Sequence, residues 1–316
     1  MEATDPRAWI GRTVGGRYPI VAPLGRGGAG QVFLARQQPL GREVAVKLLR
    51  PELLGSSRDE YQARFLREAA LAGRIAHPNV VTVHDYGVED DGTSYVVMEL
   101  LHGDLLADLV QGGLALEPHR AARIVRDIAK GLRAAHDLGL VHRDVKPHNV
   151  VVVEEDGGER PVLIDFGLVK VHDGEDHDSA YETRKGTYMG TPAYMAPEQA
   201  RGDGVDPRAD LYALGVMLYR LLTGAVPFWA DNPLGLAVQH LTEPVPPMEV
   251  RAPGCNVPPG LEAIARRLLE KDPARRYADA TEVVVALDAW LAGPLPLPEP
   301  RGSGTPLAAL GAGIGA

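Results

Sequence analysis

The sequence predicts an α+β protein of two lobes: a small antiparallel β-sheet lobe with one main helix, then a larger, mainly α-helical lobe. Three observations lead there. Residues 18–49 are rich in strand formers, with Tyr18-Pro19-Ile20-Val21-Ala22-Pro23-Leu24, Val32-Phe33-Leu34-Ala35 and Glu43-Val44-Ala45-Val46-Lys47-Leu48-Leu49 grouped around a glycine-rich turn. Apolar residues then recur at helical spacing over 58–76 and, after a further strand-like stretch, over 118–138. Between that second helix and a valine-rich hairpin lies a dense polar octapeptide, His142-Arg143-Asp144-Val145-Lys146-Pro147-His148-Asn149.

Composition bounds what the chain can do. It has 316 residues, 45% hydrophobic and 24% charged, as expected of a soluble globular protein with two domains or one two-lobed unit. Aromatics are only 5%, so the core must be built from Leu, Val, Ile and Ala. A net charge of −9 argues against a nucleic-acid binder held by a broad basic face, while leaving room for a local basic pocket. Cys255 is the single cysteine, so no intrachain disulfide can form, which fits a reducing, cytoplasmic setting. No charged-then-apolar leader opens the chain. The small apolar stretch 306–316 is shorter than the roughly 20 residues a membrane span needs, so no span is expected in the sequence as given.

Taken in order, residues 1–17 read as a polar extension. The run Gly25-Arg26-Gly27-Gly28-Ala29-Gly30 has G-x-G-x-x-G spacing. A dinucleotide-binding fingerprint requires a helix directly after the glycines, whereas here a strand follows, so the loop joins two antiparallel strands. In the next strand Ala45 and Lys47 fall on one face. The 58–76 helix has Phe65, Ala69, Ala72 and Ile75 on its apolar side, with Glu68 among them. That carboxylate needs a cation: Lys47 is the natural one, and Arg64, one turn away, is the alternative. His77-Pro78-Asn79 ends the helix, and Ser94–Leu101 forms the last strand and the connector to the second lobe.

The 118–138 helix carries Ile124, Ile128, Leu132 and Ala135 on one face and delivers the chain to the octapeptide. A buried loop of that composition would strand charges away from water, so it reads as a site for a charged ligand. Val150–Val153, a Gly157-Gly158 turn and Pro161–Ile164 form a hairpin ending in Asp165-Phe166-Gly167. Residues 168–189 are polar and too long for a passive connection; they end at Gly190-Thr191-Pro192-Ala193-Tyr194-Met195-Ala196-Pro197-Glu198. Arg208–Val216 begins a hydrophobic helix containing Asp210. Residues 261–270 and 279–291 are further helices, flanking Lys271-Asp272-Pro273-Ala274-Arg275-Arg276. The proline-rich loop at 244–259 is assigned no chemistry. The domain reading is an extension at 1–17, a first lobe and connector at 18–101, a second lobe at 102–292 and a Pro/Gly-rich tail at 293–316, expected to lack structure.

These motifs, in this order, resemble the eukaryotic-like serine/threonine protein kinase catalytic domain, in its bacterial form. The resemblance covers about 18–291 and implies a bilobal kinase fold with ATP in the cleft. By that resemblance Leu24, Gly25, Gly27, Gly30 and Val32 close over the nucleotide, Ala45 and Val151 sandwich the adenine, and Met98 stands beside it. The backbone of Glu99 and Leu101 binds the base, and Lys47, steadied by Glu68, takes the α- and β-phosphates. Asp144 accepts the proton of the attacking hydroxyl and Lys146 steadies the transferred group. Asn149 and Asp165 hold Mg²⁺, with Mn²⁺ as the alternative metal.

The family also implies an activation loop at 168–198. There Arg143 is an uncompensated charge until Thr183 or Thr187 is phosphorylated. Asp210 caps the catalytic-loop backbone, and Arg276 pairs with Glu198. Lys146 and Thr191 resemble the serine/threonine class, so the implied partners are proteins bearing Ser or Thr, together with self-association for autophosphorylation. Two alternatives stand beside this reading. A pseudokinase commonly lacks equivalents of Lys47, Asp144 or Asp165, and all three are present. A small-molecule phosphotransferase lacks the 168–198 segment.

Overall fold

The structure, a computed structural model, describes residues 6–27, 30–49, 58–166 and 192–293. Gly28, Gly167, Thr183, Thr187, Thr191 and the tail from Pro294 lie outside the described residues.

The first lobe is built from β1 (Thr13–Val14), β2 (Tyr18–Gly27), β3 (Gly30–Gln37), β4 (Arg42–Leu49), β5 (Val83–Val88) and β6 (Ser94–Glu99). They form an antiparallel sheet in the order β1-β2-β3-β4-β6-β5. Strict alternation in β4 sorts the two faces. Val44, Val46 and Leu48 pack with Tyr18, Ile20, Phe33 and Tyr95 on the outer face. Ala45 and Leu49 turn inward against Phe65 and Ala69 of helix α1 (Arg58–Ala72) and against Val96 and Met98. Lys47 follows the inward set, which is how a strand lysine becomes buried.

The segment read as an extension is part of this lobe. Thr13–Val14 pairs with β2, Gly15 N–H donates to Glu89 Oε1 at 2.6 Å, and Trp9 packs on the outer-face cluster. Two residues of strand are too few to leave a periodic signal, so their pairing could not be read in advance.

The second lobe opens on the short α2 (Leu106–Leu109) and is organised on α3 (Pro118–His136) and α5 (Arg208–Thr223), with α4 (Pro197–Arg201), α6 (Pro233–Thr242), the short α7 (Met248–Arg251), α8 (Pro259–Leu268) and α9 (Ala280–Leu291) around them. Helix α3 starts where Glu117 accepts the N–H groups of His119 and Arg120 and Pro118 occupies the first turn. Helix α5 is apolar nearly all round because the lobe closes around it. Leu211, Leu214, Leu218, Leu221 and Leu222 are all buried, and each contributes roughly 1.5–3 kcal/mol.

The lobes meet through the turn after α1. Asn79 Nδ2 donates to Pro161 O at 2.7 Å, and Val81 N–H donates to Leu163 O at 2.9 Å. Gly131 lets α3 lie against this turn, since a Cβ there would fall 2.8 Å from Asn79 O. The predicted hairpin is β8 (Val150–Glu155) with β9 (Gly158–Leu163), extended at its edge by β7 (Asp104–Leu105). Val150 and Val152 enter the core of the second lobe, so by alternation Val151 faces the other way, on the same side as Val153.

Candidate active site

The polar octapeptide is held from behind by α5. Asp210 is 1% exposed in the first turn of that helix. Its Oδ1 accepts the Arg143 N–H at 2.8 Å, and its Oδ2 accepts the His142 N–H at 2.8 Å. His136, at the end of α3, places Nε2 2.8 Å from the same Oδ2. This anchorage is needed because Arg143 has φ of 63°, a left-handed conformation that costs a non-glycine residue about 1 kcal/mol or more. The expected cap by Asp210 is therefore present.

His142 ties the loop to the end of β9. It is fully buried, and its Nε2 lies 3.1 Å from Ile164 O while its Nδ1 faces the Asp144 N–H at 3.3 Å. The first contact needs a donor and the second an acceptor, so the ring is neutral with its proton on Nε2. Burial pushes its pKa below the ordinary histidine range, which agrees with that tautomer. The imidazole also lies 4.6 Å from the ring of Phe166, centroid to centroid.

Three predicted catalytic residues converge in front. Lys146 Nζ lies 2.9 Å from Asp144 Oδ2. Asn149 Nδ2 donates to Asp144 O at 2.8 Å and to Asp144 Oδ2 at 3.0 Å. With its amide nitrogen committed in this way, Asn149 keeps its oxygen for another partner.

Asp165, with φ of 61°, points its carboxylate across the cleft: Oδ1 is 2.7 Å from Lys47 Nζ. This corrects one expectation. The Lys47–Glu68 pair is replaced by Lys47–Asp165, and Glu68 reaches Arg143 at 3.7 Å instead. Asp165 and Glu68 each still face a cation after this exchange. Arg143, expected to be uncompensated, is thereby compensated by Glu68.

Several of the residues expected to face a nucleotide lie together on the inner face of the sheet. Val32 is in register with Lys47, and Ala45 with both Leu34 and Met98. Met98 and Ala45 are buried, while Leu24 at the mouth is half exposed. Glu99 is fixed by Thr82 at both ends, N–H to Thr82 O at 2.9 Å and Oε1 from the Thr82 N–H at 2.7 Å. Leu101 follows, half-buried, in the connector. The glycines differ in what they face. A Cβ on Gly25 would meet nothing within 4 Å among the described residues, whereas one on Gly30 would run into Leu48 O. Gly27 ends β2.

Arg276 and Glu198 form the expected pair. Nη1 and Nη2 reach Oε1 and Oε2 at 2.7 and 2.8 Å, and both side chains are buried. Gln199, next to Glu198, accepts the Ala196 N–H at 3.0 Å and donates to Arg143 O at 3.4 Å, so α4 also touches the catalytic loop.

The protein kinase domain family matches residues 18–286. The chain belongs to the protein kinase family. It is 41% identical over 290 residues to serine/threonine-protein kinase pkn3 of Myxococcus xanthus, covering 92% of this chain and 52% of that protein. It is 39% identical over 272 residues to serine/threonine-protein kinase PknB of Mycobacterium leprae, covering 84% and 42% respectively. The chain thus spans about half the length, or less, of these curated relatives. Among solved structures, the kinase domain of Mycobacterium tuberculosis PknI superposes with a TM-score of 0.69 at 30% identity, covering 90% of this chain and 98% of that one. The expected bilobal kinase fold is the one observed.

Sequence reasoning passed over His136, Asn79 and Gln199 as parts of this kinase site. His136 sits in an amphipathic helix where a polar residue needs no explanation, and only its contact with Asp210 shows its use. Asn79 could have been suspected from its place directly after a proline in the turn that follows α1.

Proposed function

We propose that this kinase domain transfers the γ-phosphoryl group of Mg-ATP to serine or threonine hydroxyls of proteins. The observation that carries the reading is the convergence of Asp144, Lys146 and Asn149 within 3.0 Å contacts on a loop anchored by Asp210. Asp144 is held so that its carboxylate can take the proton of an incoming hydroxyl. Lys146 supplies a positive charge beside it, where charge develops on the transferred group. The burial of Lys47 on the sheet face with Ala45 and Val32 supports a role for it at the phosphates of a nucleotide lying against that face.

Asn149 and Asp165 offer hard oxygen donors of the kind Mg²⁺ prefers, and the fixed amide of Asn149 favours that use. When bound, the ion supplies neutralisation of phosphate charge. Lys47 holds only Oδ1 of Asp165, and the second carboxylate oxygen can serve a metal while that contact persists. Glu68 on α1 is the acid that the family's pattern offers Lys47 in addition. Phosphorylation of Thr183 or Thr187, in a second copy of the chain, would offer Arg143 a stronger partner than Glu68 and free that acid. The reaction draws on cytoplasmic ATP, and we place the domain on that side; among the described residues no helix is long and apolar enough to cross a membrane.

A transfer assay with labelled ATP comparing wild type with Asp144→Asn tests the reading. Signal is expected from wild type alone, and equal signal from both proteins would remove the assignment. Phosphopeptide mapping of the active protein is expected to find Thr183 or Thr187 modified; if neither carries phosphate, the account of Arg143 fails.

A further inference from the structure

Away from the catalytic cleft, the second lobe carries a groove of about 360 Å³ between the C-terminal turn of α6 and the segments on either side of it. Pro227, Trp229, Pro244 and Pro246 form its apolar walls. Trp229 is 65% exposed, a large aromatic surface left to solvent. Gln239 lines the same groove, and its side-chain oxygen is buried with no hydrogen-bond partner. Glu243 and Arg251 complete the lining with one charge of each sign.

An exposed indole flanked by prolines, with a polar side chain lacking a partner and charges nearby, fits an extended proline-rich segment. The chain contains one: Pro294-Leu295-Pro296-Leu297-Pro298-Glu299-Pro300-Arg301. Alternating prolines favour the polyproline II conformation, which lowers the entropy lost on docking. Leu295, Leu297 and Glu299 each lie between prolines and retain an N–H, the donor that Gln239 Oε1 lacks; the two leucines lie nearer the end of α9. Glu299 and Arg301 complement Arg251 and Glu243.

The groove is within reach of that segment in the same molecule. Trp290, in the last turn of α9, packs on Gly260 at the start of α8, where an added Cβ would fall 3.1 Å from the indole. Two residues further along α8, Glu262 accepts the Met248 N–H at 3.2 Å, and Arg266 donates to Val245 O at 3.4 Å. Val245 lies between Pro244 and Pro246 of the groove. The end of α9 and the groove therefore share one end of the lobe, and eight residues of polyproline II span about 25 Å.

We propose that Pro294–Arg301 docks intramolecularly in this groove, its prolines on Trp229 and one leucine N–H on Gln239. Amide exchange at Leu295 and Leu297, followed by NMR in the full 316-residue chain, tests it. At least one of the two is expected to exchange about tenfold or more slowly than in a synthetic peptide of residues 294–301. The slowing should be unchanged on dilution and should disappear in Trp229→Ala, a substitution at an exposed position. It should disappear equally in Pro296→Gly, which leaves the folded lobe untouched. Glu243→Arg should weaken it, and adding Arg301→Glu should restore it. Exchange at the peptide's rate, or protection that survives Trp229→Ala, overturns the proposal. Protection that fades on dilution also overturns it, because the occupant is then a second copy.

Discussion

Asp210→Asn isolates the anchorage of the catalytic loop. The carboxylate of Asp210 meets three donors, the N–H groups of His142 and Arg143 and the imidazole of His136, all at 2.8 Å, at a position 1% exposed. Asparagine preserves the shape but replaces one acceptor oxygen by a donor NH₂. Either Arg143 N–H then faces that donor, or His142 N–H and His136 do. Hydrogen bonds to a charged group contribute about 1.5–3 kcal/mol, so losing one and weakening another should cost about 3 kcal/mol. The cost falls on a loop that already holds Arg143 at φ of 63°, so release of the loop is the easiest relaxation. If the released loop misplaces Asp144 to the same extent, kcat drops about 100-fold, with KM for ATP little altered because Lys47 and the sheet face are untouched. Urea unfolding gives the first quantity and steady-state phosphotransfer the second. An unfolding free energy and a kcat both within twofold-equivalent error of wild type would show that Asp210 does not position the loop.

Other consequences can be checked in the same preparations. The Glu198–Arg276 pair is buried, so Glu198→Ala should destabilise by about 3–5 kcal/mol by leaving the guanidinium without its counter-ion. The double variant Glu198→Leu with Arg276→Met should cost clearly less than the sum of the two single changes, and additive costs in urea unfolding would contradict a coupled pair. Burial and the neighbouring Lys271 ammonium hold the His240 pKa down to about 3. The unfolded chain therefore binds the extra proton first, and stability should fall as pH drops below about 6.5, by about 1.4 kcal/mol per pH unit from this residue. His240→Gln should flatten that slope between pH 6.5 and 5, and an unchanged slope would assign it to other groups. Gly30→Ala should lower the unfolding free energy by about 1–3 kcal/mol because of the clash with Leu48 O, while Gly25→Ala should leave it unchanged and alter only nucleotide affinity. Equal stability losses at the two glycines would contradict this division.

What the sequence made legible was whatever depends on one residue type at one place along the chain. The antiparallel glycine turn, Lys47 on the face of Ala45, the hairpin that ends in Asp165 and the Arg276–Glu198 pair all follow from local pattern and motif order, and the structure puts each in its expected place. The choice between partners was not legible. Lys47 has Asp165 and Glu68 as candidate acids, and the outcome turns on where α1 sits and on the φ of 61° at Asp165. Neither quantity has a composition or a period. The same holds for His136: nothing in an amphipathic helix distinguishes a histidine that meets solvent from one that shares a buried carboxylate with two backbone amides. The exchangeable contacts are also those with the least intrinsic preference. Moving Lys47 from one carboxylate to another changes the free energy by a small difference between similar ion pairs, so a bound metal or a phosphate on the loop can decide it. That is why candidate catalytic residues could be proposed from the sequence while their partners had to be seen.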